Sequence, residues 1–293
     1  MNCHICPREC GADRENGQLG VCGTTNKIYV ARAALHMWEE PCISGKEGSG
    51  AVFFTGCPLG CLYCQNYEIS RGRKGKGGKE LTTAELADTF VRLQDEGANN
   101  INLVTPTHYS YQIIEALNIA RVKGLRIPIV YNCSGYEKKE TLEALEGYVD
   151  IYLTDFKYMN RELASAYSRA ENYVDVAKIA VDEMVRQCPN VMFNENGIMQ
   201  KGVIVRNLLL PGNVKNSKDV VKYIYDKYGD NVFLSIMNQY TPLEQVKEMN
   251  PLNRKVTKRE YNRLIEYVLE LGAKNVFIQE GDVAKESFIP DFE

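Results

Sequence analysis

Three cysteines in a short loop carry the clearest chemical signal in the sequence. Cys57, Cys61 and Cys64 follow the apolar run AVFFT with the spacing C-x3-C-x2-C. Three thiolates this close together can bind three corners of one cubane cluster. A structural zinc site requires four ligands, whereas three thiolates leave one iron open to a substrate or cofactor. The spacing therefore predicts a [4Fe–4S] cluster with an open iron, which the amino and carboxylate groups of S-adenosylmethionine (SAM) can chelate.

A second group of cysteines lies at the N-terminus. Cys3, Cys6, Cys10 and Cys22 are spaced C-x2-C-x3-C-x11-C among glycines and a proline. A segment of this length cannot build a core of its own, and a bound metal commonly supplies the missing stability. Four thiolates suit zinc, and they also suit an auxiliary iron–sulfur cluster. Both alternatives stay open at this point, beside unliganded structural thiols.

The elements that must position these cysteines alternate between strand and helix. Short apolar runs predict strands at 51–55, 101–105, 127–131, 150–154, 202–208, 232–236 and 275–278. Amphipathic patterns predict helices at 82–95, 109–123, 138–145, 160–185, 217–228 and 257–271, the first beginning with a capping box. Strand–helix alternation predicts a parallel α/β sheet, either doubly wound or a full or partial barrel. In either case the chemistry collects at the C-terminal ends of the strands.

Composition and charge exclude several function classes. The chain has 293 residues, a formal net charge of −3 and 44% hydrophobic residues. This charge argues against a generic nucleic-acid or anionic-membrane binder, and no apolar stretch is long enough to span a bilayer. The N-terminus lacks the pattern of a signal peptide. We therefore expect a cytoplasmic protein whose ten cysteines stay reduced, and whose clustered cysteines bind metal rather than form disulfides.

The central motif resembles the signature of the radical SAM superfamily, with the aromatic Tyr63 just before the last cysteine. The stretches CQNYEIS, NINLVTPTHY, DFKY and FIPDF are similar to proteins related to pyruvate formate-lyase activating enzyme. The resemblance implies a partial (β/α)6 barrel of parallel strands over residues 49–293, with a C-terminal extension. Residues 1–48 would then be a small Cys-rich metal-binding segment. The resemblance further implies that the aromatic side chain lies near the adenine of SAM and that flavodoxin or ferredoxin supplies electrons.

The resemblance also implies roles for residues at later strand ends. Lys157 and Arg206 would bind the carboxylate or ribose of SAM, and Asp155 would contribute to a polar or monovalent-cation site beside them. Asn132 stands where the activating enzymes carry an acidic residue, so such a site would have one charge fewer. Thr105 or Thr107 would accept the hydrogen bonds of the SAM amino group where the superfamily often carries Gly-Gly-Glu.

Other residues near the strand ends have two interpretations each. His108 either contacts substrate or caps the following helix, and Cys42 is expected to pack in the core. Cys133 and Cys188 are interpreted as structural. The stretch 238–240 is a candidate lining of the substrate mouth, and the basic, Gly-rich stretch 71–79 is interpreted as a solvated connection.

The function predicted is that of a radical SAM enzyme. The cluster would cleave SAM to a 5′-deoxyadenosyl radical that abstracts hydrogen, with the glycine of a protein partner as the target suggested by the resemblance. The alternatives are radical modification of a peptide or a small molecule and, from another class, a non-catalytic metal-binding regulatory protein. The motif residues at 57, 61, 64, 157 and 206 favour the enzyme.

Overall fold

A ten-stranded sheet organises the part of the chain, residues 2–72 and 77–279, that this computed structural model describes. The strands are β1 (Ile28–His36), β2 (Ser49–Phe54), β3 (Lys79–Leu81), β4 (Ile101–Val104), β5 (Ile129–Cys133), β6 (Ile151–Asp155), β7 (Met192–Phe193), β8 (Met199–Leu208), β9 (Phe233–Met237) and β10 (Val276–Ile278). Their order is β10-β9-β8-β6-β5-β4-β2-β1-β3, with β7 paired to β8.

The middle of the sheet is parallel, as predicted. Strands β2, β4, β5, β6, β8, β9 and β10 run in one direction, and each pairs in parallel with its neighbour. All six residues of β2 are buried, as are the residues of β4 and β5, because helices cover the sheet. The C-terminal ends of these strands therefore meet along one edge.

Eight α-helices connect or flank the strands in the described chain. They are α1 (Pro41–Ser44), α2 (Thr83–Asp95), α3 (Ser110–Val122), α4 (Lys139–Ala144), α5 (Arg161–Ser168), α6 (Tyr173–Gln187), α7 (Val214–Tyr228) and α8 (Lys258–Glu270). The predicted capping box of α2 is confirmed, because Thr82 accepts from the Glu85 backbone while the Glu85 side chain accepts from Thr82. Phe90 and Leu93 on its inner face are fully buried, each stabilising the fold by about 1.5–3 kcal/mol.

The N-terminal part of the chain joins the same sheet. Strand β1 pairs antiparallel with β2 and β3, in a register that sets Val30 opposite Phe54 and His36 opposite Ser49. The domain boundary expected at residue 48 thus falls inside a β-hairpin. Because His36 lies opposite Ser49, the chain leaves β1 beside the first residue of β2, at the amino edge of the parallel strands.

One predicted helix is wrong in its extent. The single helix expected over 160–185 is two helices, because Arg169 adopts a left-handed conformation with φ of 49° and α5 ends just before it. The carbonyl groups of Ser168 and Arg169 both accept hydrogen bonds from the Arg8 guanidinium. The carbonyl of Tyr167 accepts from Leu62 N–H at 2.9 Å. The break therefore lets the end of α5 contact the cysteine loop.

Predicted helix 217–228 also begins earlier, at Val214, and the other helix limits lie within a few residues of those expected. No helix in the described part of the chain is long and apolar enough to cross a lipid bilayer.

Candidate functional site

The loop that carries the three central cysteines leaves β2 at the carboxyl edge of the sheet. Gly56 has φ of 89°, and a Cβ there would lie 2.5 Å from Thr24 Cγ2 and 2.7 Å from the Cys22 carbonyl oxygen. Gly60 has φ of 60°, and a Cβ there would overlap the guanidinium of Arg71. Both positions therefore require glycine, for conformation and for space. The backbone of the loop is fixed against the N-terminal segment on one side and Arg71 on the other.

Each of the three loop sulfurs has a hydrogen-bond donor from its surroundings. The Gly60 N–H lies 3.4 Å from Cys57 Sγ, the Ser168 hydroxyl 3.1 Å from Cys61 Sγ, and the Ser70 hydroxyl 3.5 Å from Cys64 Sγ. Burial, with the neighbouring sulfur charges adding to it, raises the pKa of Cys57 to about 12. Iron binding would therefore release protons from this loop, and donors aimed at the sulfurs suit thiolate ligands.

Tyr63 connects this loop to the interior. Its hydroxyl lies 2.7 Å from the Tyr158 hydroxyl, which lies 2.7 Å from Ser168 Oγ, the donor to Cys61. The Tyr63 ring packs edge-on against Tyr167 and lines the cavity beside the cysteines. A buried hydrogen-bond chain therefore holds the aromatic ring of the motif in a fixed orientation.

A cavity of about 690 Å³ opens in front of the cysteine loop. This volume is within the range of about 300–1,000 Å³ that is typical of sites for small ligands and cofactors. Nine of the central residues predicted as ligand contacts line it: Cys57, Cys61, Tyr63, Cys64, Thr105, Asn132, Asp155, Lys157 and Arg206. Thr107, the alternative to Thr105, is buried elsewhere and donates to Glu137 Oε1 at 3.0 Å. The structure thus brings together residues from five strand ends.

The charged residues of the cavity form one network. Lys157 Nζ lies 2.6 Å from Asp155 Oδ2, and Arg206 Nε lies 2.9 Å from Asp155 Oδ1. Arg206 also donates to Asn132 Oδ1 at 2.6 Å and to Glu39 Oε2 at 3.2 Å. The electrostatic partners of Lys157 include Asp155 and Cys61. Lys157 is thus paired with Asp155 and also lies close enough to the cysteine loop for its charge to act on the sulfurs.

Glu39 was not predicted from the sequence. It lies just after β1, yet its Oε1 accepts from Asn132 Nδ2 at 3.3 Å, across 93 positions of the chain. Asn132 stands where the resemblance would place an acidic residue. The carboxylate missing there is thus supplied by Glu39, between the strands of the β1–β2 hairpin. The sequence feature that could have pointed to Glu39 is the pair Glu39-Glu40 directly before a proline. Burial is the main reason that the pKa of Glu40 is raised to about 7, with Arg206 opposing the increase.

Thr105 has a strained backbone. It directly follows β4 and has φ of 59°, a left-handed conformation that a β-branched residue rarely adopts. Its N–H donates to the Asn132 carbonyl at 2.9 Å. Strain of this kind costs about 1–3 kcal/mol and persists where the surroundings enforce it, often at ligand sites.

His108 is structural rather than a substrate contact or a helix cap. It is 1% exposed, and its Nε2 lies 2.8 Å from the Thr55 carbonyl oxygen at the end of β2. Burial, with the nearby Arg14 charge adding to it, lowers the pKa of His108 to about 3. The ring is therefore neutral, and Nε2–H donates to Thr55. The following helix has no side-chain cap.

The N-terminal cysteines lie beside the central loop. Cys6 and Cys22 are buried, Cys3 and Cys10 are partly buried, and the Cys22 carbonyl accepts from the Cys57 N–H at 3.1 Å. Over residues 2–72 and 77–279, no group of three or more Cys, His, Asp or Glu side chains already has its donors arranged to hold a metal ion. This applies to both cysteine groups, so either would have to turn its sulfurs toward a ligand.

The remaining candidates have structural positions. Cys42 packs in a hydrophobic cluster as predicted, and Cys188 Sγ contacts the Asp150 carbonyl. Cys133 lines the cavity and contacts Thr154. Of the stretch 238–240, Gln239 lines the cavity. Residues 73–76 of the basic loop and the FIPDF motif lie outside the described residues.

Comparisons with known proteins identify the family. The model of the Radical SAM superfamily matches residues 51–198. The uncharacterized protein MJ0674 of Methanocaldococcus jannaschii is 30% identical over 93% of this chain and 75% of its own length. The pyruvate formate-lyase-activating enzyme of Clostridium pasteurianum is 24% identical over 73% of this chain and 90% of its own length.

Solved structures agree on the fold. SuiB of Streptococcus suis, solved with its precursor peptide SuiA, has a TM-score of 0.50 at 14% identity and covers 78% of this chain. This chain spans about half of SuiB, 47% of its length. The chain is therefore an α/β partial barrel and an enzyme of the radical SAM superfamily, whose members use a [4Fe–4S] cluster and SAM.

Proposed function

We propose that Cys57, Cys61 and Cys64 hold the [4Fe–4S] cluster and that the adjoining cavity binds SAM. The observation that carries this proposal is the set of three sulfurs, each with a hydrogen-bond donor, at the wall of a cavity that also contains Lys157. When bound, the reduced cluster supplies one electron that cleaves SAM to methionine and a 5′-deoxyadenosyl radical, which abstracts a hydrogen atom from the substrate.

Lys157 is the residue best placed to bind the SAM carboxylate. In the described chain its Nζ donates to Asp155, and it lies close enough to the loop for its charge to act on Cys64. Arg206 differs, because Nε, Nη1 and Nη2 donate to Asp155, Glu39 and Asn132 respectively. We therefore assign direct carboxylate binding to Lys157 and the positioning of Asp155 to Arg206. Arg206, which was expected to bind the carboxylate or ribose of SAM, is thus proposed only to hold Asp155 in position.

The remaining polar residues would complete the SAM site. Thr105 is held in a strained conformation at the cavity wall and would accept a hydrogen bond from the SAM amino group. The Tyr63 hydroxyl is already bonded to Tyr158, which fixes the orientation of the side chain. Its ring would therefore be the part that lies along the adenine of SAM. Two carboxylates, Asp155 and Glu39, balance the two cations Lys157 and Arg206, so the network is neutral before the amino and carboxylate groups of SAM enter the cavity.

Hydrogen abstraction from a glycine of a protein partner is the specific reaction we propose. The support is the likeness to the pyruvate formate-lyase-activating enzyme of Clostridium pasteurianum, 90% of which is matched. Flavodoxin or ferredoxin would supply the electron. A peptide or a small molecule is the alternative substrate. The deuterium-labelling experiment described below tests these alternatives against glycine in a protein.

The first experiment tests the reaction class. Anaerobically reconstituted protein should turn over SAM to 5′-deoxyadenosine with dithionite, and flavodoxin or ferredoxin with its reductase should replace dithionite. A Cys188→Ala variant, altered at a buried thiol that contacts the Asp150 carbonyl, should retain this activity. A fully loaded protein that forms no 5′-deoxyadenosine would contradict the proposal.

The second experiment tests the substrate. Extract from cells that naturally express this protein, grown on α-deuterated glycine, is separated into macromolecules and small molecules and added to the reaction. Deuterium in 5′-deoxyadenosine with the macromolecular fraction, together with a glycyl electron paramagnetic resonance signal, supports glycine abstraction from a protein. Deuterium only with the small-molecule fraction, or none at all, contradicts it.

A further inference from the structure

The N-terminal segment has almost no apolar material to hold its fold. Between residues 2 and 27 the described secondary structure consists of one 3-10 turn, Arg14–Asn16. The buried side chains of this stretch are Cys6, Ala12, Arg14, Cys22 and Thr24. Segments this poor in a core are normally fixed by disulfides or metal. All four cysteines are free, so a disulfide does not explain the compact path.

The backbone of this segment folds around the sulfurs. Cys3 N–H donates to the Ala12 carbonyl at 3.1 Å, and Gly11 N–H returns a bond to the Cys3 carbonyl at 3.1 Å. These bonds bring residue 3 next to residues 11 and 12, and so bring Cys3 close to Cys10 in the fold. A Cβ at Gly20 would lie 3.2 Å from Cys22 Sγ and 3.6 Å from Cys10 Sγ, so these two sulfurs face the same glycine.

Polar groups of the same segment contact two of the four sulfurs, those of Cys22 and Cys3. Thr24 Oγ1 lies 3.2 Å from Cys22 Sγ, and the Arg14 guanidinium lies 3.9 Å from Cys3 Sγ. Donors of this kind orient and stabilise thiolate ligands of metals, whereas neutral thiols are weak acceptors.

We propose that Cys3, Cys6, Cys10 and Cys22 together bind one Zn²⁺ ion as a closed, tetrahedral four-thiolate site. Zinc–sulfur bonds of about 2.3 Å place the sulfurs of such a site about 3.8 Å apart, and the sulfurs of Cys10 and Cys22 already lie against the same glycine, Gly20. Sulfurs bound to different irons of a cubane lie further apart, because an iron–iron edge separates them. Four thiolates also leave no open position, which is typical of a structural rather than a catalytic metal.

The zinc site would hold the catalytic loop from behind. The Cys22 carbonyl accepts from Cys57 N–H at 3.1 Å. Arg8 donates through Nε to the Pro58 carbonyl and through Nη2 to the Leu59 carbonyl, both at 3.0 Å. Arg14 donates to the His108 carbonyl at 2.8 Å. Fixing the four sulfurs therefore fixes the residues that contact the loop, independently of the reaction the enzyme performs.

Metal content in the full chain tests the site. Protein produced in medium with both iron and zinc should contain about one zinc per chain in the wild type and in the Cys57→Ala/Cys61→Ala/Cys64→Ala variant. The Cys6→Ser/Cys22→Ser variant should lose it, while the matched control Cys42→Ala/Cys188→Ala should keep it. Zinc X-ray absorption of the wild type should show a single shell of sulfur at about 2.3 Å.

Two results would overturn the proposal. Iron and sulfide at cluster stoichiometry in the variant that lacks the three central cysteines would assign an auxiliary cluster to this segment instead. A wild type without zinc, or with nitrogen or oxygen in the zinc shell, would exclude the four-thiolate zinc site. The absorption measurement uses the unaltered protein, so a folding failure of the double variant leaves the test intact.

Discussion

The two cysteine groups of this enzyme differ in what their sulfurs face. The sulfurs of Cys57, Cys61 and Cys64 lie at the wall of a cavity of about 690 Å³ that also contains Lys157. In the N-terminal group the sulfurs of Cys10 and Cys22 instead lie against Gly20, inside a segment that contacts the back of the catalytic loop. Three thiolates beside a cavity suit a metal that must bind a ligand, and four enclosed thiolates suit one that must not.

The two groups share one feature, polar groups that contact their sulfurs. In the catalytic loop two of these groups are the hydroxyls of Ser70 and Ser168. In the N-terminal segment Thr24 Oγ1 lies 3.2 Å from Cys22 Sγ, and the Arg14 guanidinium lies 3.9 Å from Cys3 Sγ. Such contacts orient the ligands of a structural metal and also adjust the potential of a redox cluster.

Removing one sulfur from each group should give the largest contrast. Cys61→Ala should leave too few thiolates for the cluster and reduce 5′-deoxyadenosine formation to background, with zinc retained. Cys6→Ala should lose zinc but keep measurable SAM cleavage, lowered several-fold because the loop is less firmly held. Product and metal analysis of both variants checks this, and equal, complete loss of product in both would remove the distinction between the groups.

Lys157→Met should weaken SAM binding without unfolding the enzyme. Asp155 keeps its bond to Arg206, so no unpaired buried carboxylate remains. Loss of a charge-assisted hydrogen bond of about 1.5–3 kcal/mol should raise the SAM dissociation constant about 10- to 100-fold, measured by equilibrium binding to the reconstituted protein. The zinc content should be unchanged. An unaltered dissociation constant would show that Lys157 does not bind the SAM carboxylate.

Much of the cavity beside the three central cysteines could be predicted from the sequence. Asp155 and Lys157 stand at the end of β6 and Arg206 near the end of β8, and the ends of parallel strands necessarily meet at one edge. Their place at this edge follows from these positions, whereas their roles toward SAM came from the family resemblance. The cavity was therefore predictable in place and in much of its lining.

The contacts that were missed are those between distant segments. Glu39 reaches Asn132 because the register of the β1–β2 hairpin sets where the chain leaves β1, and alternation alone does not fix that register. Ser168 reaches Cys61 because the helix ends at Arg169, where no glycine or proline marks the break. Tertiary contacts to Arg8 stabilise that ending, so local propensity could not reveal it.

A buried carboxyl makes the catalytic side sensitive to pH. Burial raises the pKa of Glu137 to about 7, although the Thr107 hydroxyl bonds to it. Between the ordinary value near 4.5 and 7 the folded state binds more protons than the unfolded state, so stability falls as the pH rises through this window.

Glu137→Gln removes this loss of stability. The variant and the wild type should be equally stable below about pH 4.5, and the variant should be more stable above pH 7, by about 3 kcal/mol at most. Urea denaturation at several pH values measures the difference. The control Glu140→Gln, at an exposed position of α4, should change neither end of the curve. A constant difference at all pH values would indicate a packing effect rather than titration.

The finest distinction between the two groups concerns their hydrogen bonds. Ser168→Ala removes the hydroxyl that lies 3.1 Å from Cys61 Sγ. A donor to a cluster thiolate stabilises the reduced, more negative state, so its loss should lower the potential of the catalytic cluster by about 40 mV, equivalent to about 1 kcal/mol. Thr24→Val removes the matching contact to Cys22, 3.2 Å away. Because that sulfur is assigned to zinc, which is not redox active, the catalytic potential should stay unchanged.

A redox titration followed by electron paramagnetic resonance measures the potential of the catalytic cluster in both variants. The result for Thr24→Val is the more informative of the two. If it shifted the potential as much as Ser168→Ala does, the contact between the Cys22 carbonyl and Cys57 would transmit more than mechanical support. If neither variant shifted it, the donors around the catalytic sulfurs would serve folding alone. The expected result, a shift in one variant only, would mean that similar donors adjust a reactive cluster in one group and only orient ligands in the other.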